Sequence, residues 1–249
     1  MTGLWAFCGV TAAALHGMPL PPAYDSRYRS LDVAVAAPRT PPRAEGIIGH
    51  KLVAGSVSVV TVAGLPVLWT PDVWCQLAAV LSREDLVAAG DFLLSGDAWA
   101  GRMRRPLCTI EQLAAAVARY AGKRGAKNLR WALGRLRADV DSRTESLLRL
   151  LLVEAGIPEP LVHLAVSVAN GQLTLHPDLA LPQFGVCFEY QGDGHRDRDR
   201  FLSDIDRNEL LRAAGWEVIE VTSKDLFHDR EAFLQRVFAV LRRRGFRRN

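Results

Sequence analysis

Apolar and polar positions change rhythm along this chain, and the changes mark its elements. Val10 to His16 reads as a short helix that Gly17 and Pro19 stop. Leu31 to Ala36 reads as a strand with Leu31, Val33 and Val35 on one face, and Pro38, Pro41 and Pro42 then break the chain. Gly46 to His50 and Ser56 to Ala63 are two more predicted strands, and Gly64-Leu65-Pro66-Val67 is a turn into another. Helical spacing then takes over. Thr70-Pro71, an N-cap followed by Pro at the first helical position, predicts a helix to about Leu81. Ser82 caps the next, with Glu84 and Asp85 in its first turn and Leu86, Ala89 and Leu93 on its apolar face. Thr109-Ile110-Glu111 opens a third helix that ends near Arg119 and Tyr120. A basic loop, Ala121-Gly122-Lys123-Arg124-Gly125, leads to a fourth over Ala126 to Val140.

The pattern restarts near Asp141. Ser142-Arg143-Thr144-Glu145 fits a capping box and predicts a helix to about Ala155, stopped by Gly156 with Pro158 beyond. His163 to Val168 and Gln172 to His176 are strand-like runs joined by Asn170-Gly171, the strongest short-range hairpin signal. That hairpin leads into Asp178. In the next run Val186, Phe188 and Tyr190 alternate with Cys187, Glu189 and Gln191, so one face packs while the other carries Glu189 and Gln191. Asp199 to Ala214 is an amphipathic helix that Gly215 stops. Trp216 to Val221 alternates as a strand, and Ala232 to Arg243 closes as a helix with a basic end. The expected class is α/β, with one α/β domain over residues 1–140 and a second over 141–249.

Composition narrows the class. A chain of 249 residues suffices for one large or two modest domains, and 49% hydrophobic with 23% charged residues is the balance of an ordinary folded protein. A formal charge of +4 and a pI near 9.1 permit a polyanionic partner without requiring one. Placement says more, since Arg242, Arg243, Arg244, Arg247 and Arg248 crowd the C-terminus. Cys8, Cys75, Cys108 and Cys187 are far apart and form no CxxC pair, which argues against a zinc ribbon or a disulfide scaffold and suits a reducing cytosol. No apolar run is long enough to span a bilayer. Leu4 to Leu20 is apolar, but without a basic start and with His16 inside it reads as a buried helix rather than a signal peptide. A cytoplasmic protein with no membrane association is expected.

The candidate chemistry lies between Pro177 and His195. The predicted hairpin and strand can set Asp178 and Glu189 side by side on neighbouring strands. A partly buried carboxylate is costly unless compensated, and a divalent cation is one compensation. The same residues have plainer readings: Asp178 as a turn residue beside Pro177, Glu145 as a capping residue.

Pro177-Asp178 followed by Glu189-Tyr190-Gln191 resembles the PD-(D/E)xK nuclease signature, with Gln where Lys is usual. The run from Glu189 to Arg196, Glu-Tyr-Gln-Gly-Asp-Gly-His-Arg, and the run from Asp204 to Trp216 are similar to the branch related to very-short-patch-repair (Vsr) endonucleases. The likeness covers Asp141 to about Leu241. It implies a restriction-endonuclease-like core in the order helix, three strands, helix, strand, and an endonuclease that cuts DNA with Mg²⁺, or Mn²⁺ in its place. On that reading Asp178, Glu189 and the carbonyl of Tyr190 hold the metal. Gln191 stands where a Lys would orient water, and His195 serves as general acid or base. Arg196 and Lys224 are further candidate cations, and Glu145 reaches the metal from the first helix. Arg207 and Asn208 line the cleft. Lys123, Arg124 and the C-terminal arginines meet the phosphate backbone, contacts that carry affinity without sequence information and weaken with salt.

The first half carries a second resemblance. Thr11-Ala12-Ala13-Ala14-Leu15-His16-Gly17, the Gly64-Leu65-Pro66-Val67 turn and Asp85-Leu86-Val87-Ala88-Ala89-Gly90-Asp91 resemble the middle region of AbiEi-type antitoxin proteins. Such proteins usually begin with a winged helix-turn-helix, and the resemblance leads one to expect that most of that module is missing from this sequence. This implies an alternative function, a non-catalytic DNA-binding regulator with a degenerate nuclease fold and a toxin as partner. A homodimer is compatible with either.

Overall fold

In the computed structural model, which describes residues 5–24, 30–53, 55–96, 105–191 and 207–247, the chain is mixed α/β and separates into two units, Met1–Arg143 and Thr144–Asn249. The first unit carries a five-stranded sheet. Its strands are β1 (Ala6–Phe7), β2 (Leu31–Ala36), β3 (Ile47–Leu52), β4 (Val59–Val62) and β5 (Leu65–Leu68), ordered β3-β2-β1-β5-β4. The central strand β1 runs antiparallel to β2 and parallel to β5, and at two residues it is too short to show an alternation. An interior strand is covered on both faces. Asp32, Val33, Ala34 and Val35 of β2 are therefore all buried while Leu31 is exposed, which corrects the one-faced reading of Leu31, Val33 and Val35.

The helices of this unit are α1 (Gly9–Leu15), α2 (Thr70–Leu77), α3 (Arg83–Ser95), α4 (Ile110–Arg119) and α5 (Ala126–Leu133). Ser82 caps α3 by accepting from the Asp85 N–H, and Thr109 and Gln112 form a reciprocal box at the start of α4. At α2 the N-cap is Trp69. The Thr70 hydroxyl donates to the Leu107 carbonyl at 3.5 Å instead of capping, and the helix ends at Leu77 rather than near Leu81. Helix α5 stops at Leu133, short of the expected Val140. The Arg137 N–H donates to Asp91 Oδ1 at 2.7 Å and the Val140 N–H to Ser95 Oγ at 3.1 Å. These buried acceptors on α3 take the N–H groups that a longer helix would use internally. Trp74, Leu86, Leu93, Leu113 and Leu129 lie in the core, and the Trp74 indole donates to the Leu86 carbonyl. The Lys123-Arg124-Gly125 loop is a close backbone crossing: Gly125 has φ +85°, and a Cβ there would lie 2.2 Å from the Ala78 carbonyl oxygen.

The second unit begins with α6 (Arg143–Glu154). There follow β6 (Leu161–Val162), β7 (Val166–Val168), β8 (Leu173–Leu175), β9 (Leu179–Leu181) and β10 (Val186–Gln191). Then come α7 (207–213), β11 (Glu217–Thr222), α8 (Ser223–Phe227) and α9 (Arg230–Arg243). The main sheet is ordered β11-β10-β9-β6. The Asn170-Gly171 hairpin joins β7 to β8, with Val166 opposite Leu175 and Val168 opposite Leu173, but it forms a two-stranded ladder of its own. Its turn is wider than two residues, since Ala169, Asn170 and Gly171 all have positive φ. The β10 alternation holds. Val186 and Phe188 pack with Leu148 and Leu152 of α6 and with Phe233 and Val237 of α9. Cys187 packs on the other side with Val166, Val168, Ala180 and Leu211. Each fully buried side chain of this kind contributes about 1.5–3 kcal/mol. Strands β10 and β11 are parallel and so require a crossover, to which α7 belongs. Residues 192–206, with His195, Arg196 and the first part of the expected Asp199–Ala214 helix, lie outside the described residues.

Candidate metal centre

Strand register builds this site. Leu161 pairs with Ala180 and Val162 with Leu179, so one further step along the ladder sets His163 opposite Asp178. Cys187 pairs with Ala180 and Phe188 with Leu179, so the next step sets Glu189 opposite Asp178 on its other side. Glu189 in turn pairs with Glu220. A single row across β6, β9, β10 and β11 therefore reads His163, Asp178, Glu189, Glu220. Backbone bonds hold its middle: the His163 N–H donates to the Asp178 carbonyl at 3.3 Å, and the Tyr190 N–H donates to Asp178 Oδ2 at 2.7 Å.

Helix α6 completes one end of the row. Glu145, in its first turn and buried, directs Oε2 to within 3.2 Å of His163 Nε2. Glu145, His163 and Asp178 each offer one donor atom, and the three atoms lie within 4.8 Å of one another. Ligands of one divalent ion, each at about 2.0–2.2 Å, stand at most about 4.4 Å apart, so small side-chain shifts bring these three to a shared ion. The donor set fits a cation. The Asp178 carboxyl is pushed up to about 6, chiefly by burial and also by the nearby Glu145. The Tyr190 N–H bond, His163 and Arg207 work in the opposite direction. A cation at the cluster would relieve the cost of ionising this carboxyl.

The other end of the row is held by α7. Arg207 donates through Nε and Nη2 to Glu189 Oε1, each at 3.3 Å, and through Nη2 to the His176 carbonyl. Asn208 donates to Glu220 at 3.0 Å, and Arg212 to the same oxygen at 3.3 Å. Cys187, two residues before Glu189, has its thiol pushed up to about 12 by burial above all, with Glu189 adding to it, so it remains protonated.

The sequence-derived set is thus divided. Asp178 and Glu145 come together, joined by His163 in place of Glu189. Glu189 shares the row but is ion-paired to Arg207, and the Tyr190 backbone contributes its N–H to Asp178. Gln191 lies half-buried at the end of β10, opposite Thr222. Asn208 is buried, with its amide donating to Glu220. Lys224 is exposed and paired with Asp229 at 3.0 Å. Lys123 and Arg124 belong to the first unit. His163 escaped the sequence reading because it sits just past a two-residue strand, where no periodicity marks it. Its φ of +46°, uncommon outside glycine, is a feature of the fold.

The chain is 26% identical over 233 residues to two proteins of Mycobacterium tuberculosis, the uncharacterized protein MT2308 of strain CDC 1551 / Oshkosh and the uncharacterized protein Rv2248 of strain ATCC 25618 / H37Rv. The match takes in 91% of this chain and 77% of each of theirs. No protein-family model matches the chain, and no solved structure matches it.

Proposed function

We propose that the Thr144–Asn249 unit is a divalent-metal-dependent endonuclease that hydrolyses DNA phosphodiester bonds. The observation that carries this reading is the convergence of Glu145, His163 and Asp178, from three separate segments, on one metal-sized space. Mg²⁺ or Mn²⁺ held there would polarise the phosphate and lower the pKa of an attacking water. The chain's own groups have separable tasks. Glu145, His163 and Asp178 would hold the ion, and the Tyr190 N–H fixes the Asp178 carboxylate. Arg207 aligns Glu189 and, about a third exposed, can also meet a phosphate oxygen. Gln191 can position a water by hydrogen bonds but brings no charge.

Supercoiled plasmid incubated with Mg²⁺ or Mn²⁺ tests this. The native chain nicks it and Asp178→Ala does not; equal nicking by both rejects the assigned site. The Glu189–Arg207 pair and the neutral Gln191 favour a second reading, a non-catalytic DNA-binding regulator of the antitoxin-like kind. Such a protein retains DNA without any metal and leaves the plasmid intact under every condition.

A further inference from the structure

The Met1–Arg143 unit has a cavity of its own, about 510 Å³, which falls in the range of small-ligand sites. Its walls are mainly apolar and include Val10 of α1, Leu52 of β3, Ala79 and Val80 just after α2, and Tyr120 after α4. Two buried carboxylates also enter the wall, and each already has a hydrogen-bonding partner in the protein. His50 Nε2 lies 2.7 Å from Asp32 Oδ1, while Asp72 receives the Arg119 guanidinium at 2.9 Å and the Ser58 N–H at 2.9 Å. The Asp32 pair is built into the backbone. Gly9 has φ +53°, and a Cβ there would stand 3.1 Å from the Asp32 carboxyl carbon, so a larger residue would push against it. Cys75 adds no charge, because burial pushes its thiol up to about 12. The remaining formal charges on the wall are Lys51 and Lys123, neither with a carboxylate partner among the described residues. The Lys123 ammonium stands 4.9 Å from the centre of the Tyr120 ring.

With both acids hydrogen-bonded within the protein, the cavity combines an apolar interior with two lysines that have no carboxylate partner among the described residues. We propose that it binds a small organic anion, whose apolar body packs against Val10, Leu52, Ala79 and Val80 while its acidic group is taken by Lys51 and Lys123. Carboxylate, sulfonate and phosphate ligands share this chemistry. The site belongs to the first unit and stands independently of the nuclease reading.

Two probes with the same rings test the charge requirement on the full-length protein: 8-anilinonaphthalene-1-sulfonate, and N-phenyl-1-naphthylamine, which lacks the sulfonate. Fluorescence titration should show saturable one-to-one binding of the sulfonate, and binding of the neutral amine at least tenfold weaker. The double substitution Lys51→Glu/Lys123→Glu, at exposed positions, should weaken the sulfonate at least tenfold without changing the amine. Ala79→Trp should remove both. An unchanged circular dichroism spectrum confirms folding, and if Ala79→Trp misfolds the lysine pair still decides. Equal affinity for both probes, an unchanged sulfonate affinity after charge reversal, or no saturable binding would overturn the proposal.

Discussion

The acidic row across the second unit has two halves that meet the same problem differently. On β10 and β11, Glu189 and Glu220 are answered by protein groups: Arg207 takes the first, Asn208 and Arg212 the second. On β6 and β9, Asp178 faces a second carboxylate, Glu145, with the His163 imidazole between segments, and its carboxyl is pushed up to about 6. A guanidinium settles a carboxylate permanently, whereas an imidazole and two carboxylates make a set of ligands. The difference separates the half of the row that is answered by protein groups from the half that could hold a cation.

The largest effect that can break this comparison is on cleavage. Asp178→Asn should lower the single-turnover nicking rate by about a thousandfold or more, since a bound metal supplies several kcal/mol of transition-state stabilisation. Glu189→Gln should leave most of the rate, because Glu189 sits in the half that Arg207 neutralises. If the two substitutions are equally damaging, both halves serve one catalytic ion and the division fails.

Stability comes next. Arg207→Met leaves Glu189 buried without its guanidinium, and losing one partner of such a pair costs about 3–5 kcal/mol. Arg212→Ala, at the half-exposed Arg212–Glu220 pair, should cost less than about 1 kcal/mol. Urea midpoints of the two variants measure the contrast directly. Equal losses would mean that burial does not separate the two pairs.

The Asp178 carboxyl makes its own half sensitive to pH. Its folded-state pKa of about 6 lies above the ordinary 3.8, so ionisation opposes folding. In metal-free protein the burden is absent below about pH 4, grows as pH rises, and is complete above about pH 6. Asp178→Asn keeps an oxygen for the Tyr190 N–H and removes the charge. It should therefore stabilise the unit by on the order of 2–3 kcal/mol above pH 6, with no gain below pH 4. Thermal unfolding of both proteins from pH 4 to pH 7.5 reads this out; a pH-independent difference would contradict it.

Much of this row was legible in the chain, for identifiable reasons. The two-residue alternation of Val186 to Gln191 reports a strand with one packed face, and the cluster around Val186 and Phe188 matches it, whereas the second cluster around Cys187 was not read from the pattern. The Asn170-Gly171 turn marked its hairpin because few other residues tolerate that backbone. Tertiary partners were not legible. Asp91 and Ser95 end α5 by attracting backbone N–H groups from another segment, and β1 is defined by its neighbours rather than by its own pattern. Glu145 could be read equally as a cap or a site residue, because the first turn of a helix serves both roles. Its approach to His163 depends on a register that local periodicity does not encode.

His163 offers the finest test of the comparison. Imidazole is a better donor to Mn²⁺ and later first-row ions than to Mg²⁺, which prefers oxygen ligands and retains its waters. With nitrogen among the three donors, the cluster should bind Mn²⁺ more tightly than Mg²⁺. His163→Ala should weaken Mn²⁺ binding by about tenfold, roughly 1.4 kcal/mol, while changing Mg²⁺ binding far less. Calorimetric titration of the nucleic-acid-free protein measures both affinities without reference to cleavage, so a catalytically inactive protein still answers the question. An equal fall for the two ions would make His163 a support for Glu145 rather than a ligand. An unchanged Mn²⁺ affinity would remove it from the centre and shift the weight of the site back along the row, toward Asp178 and Glu189.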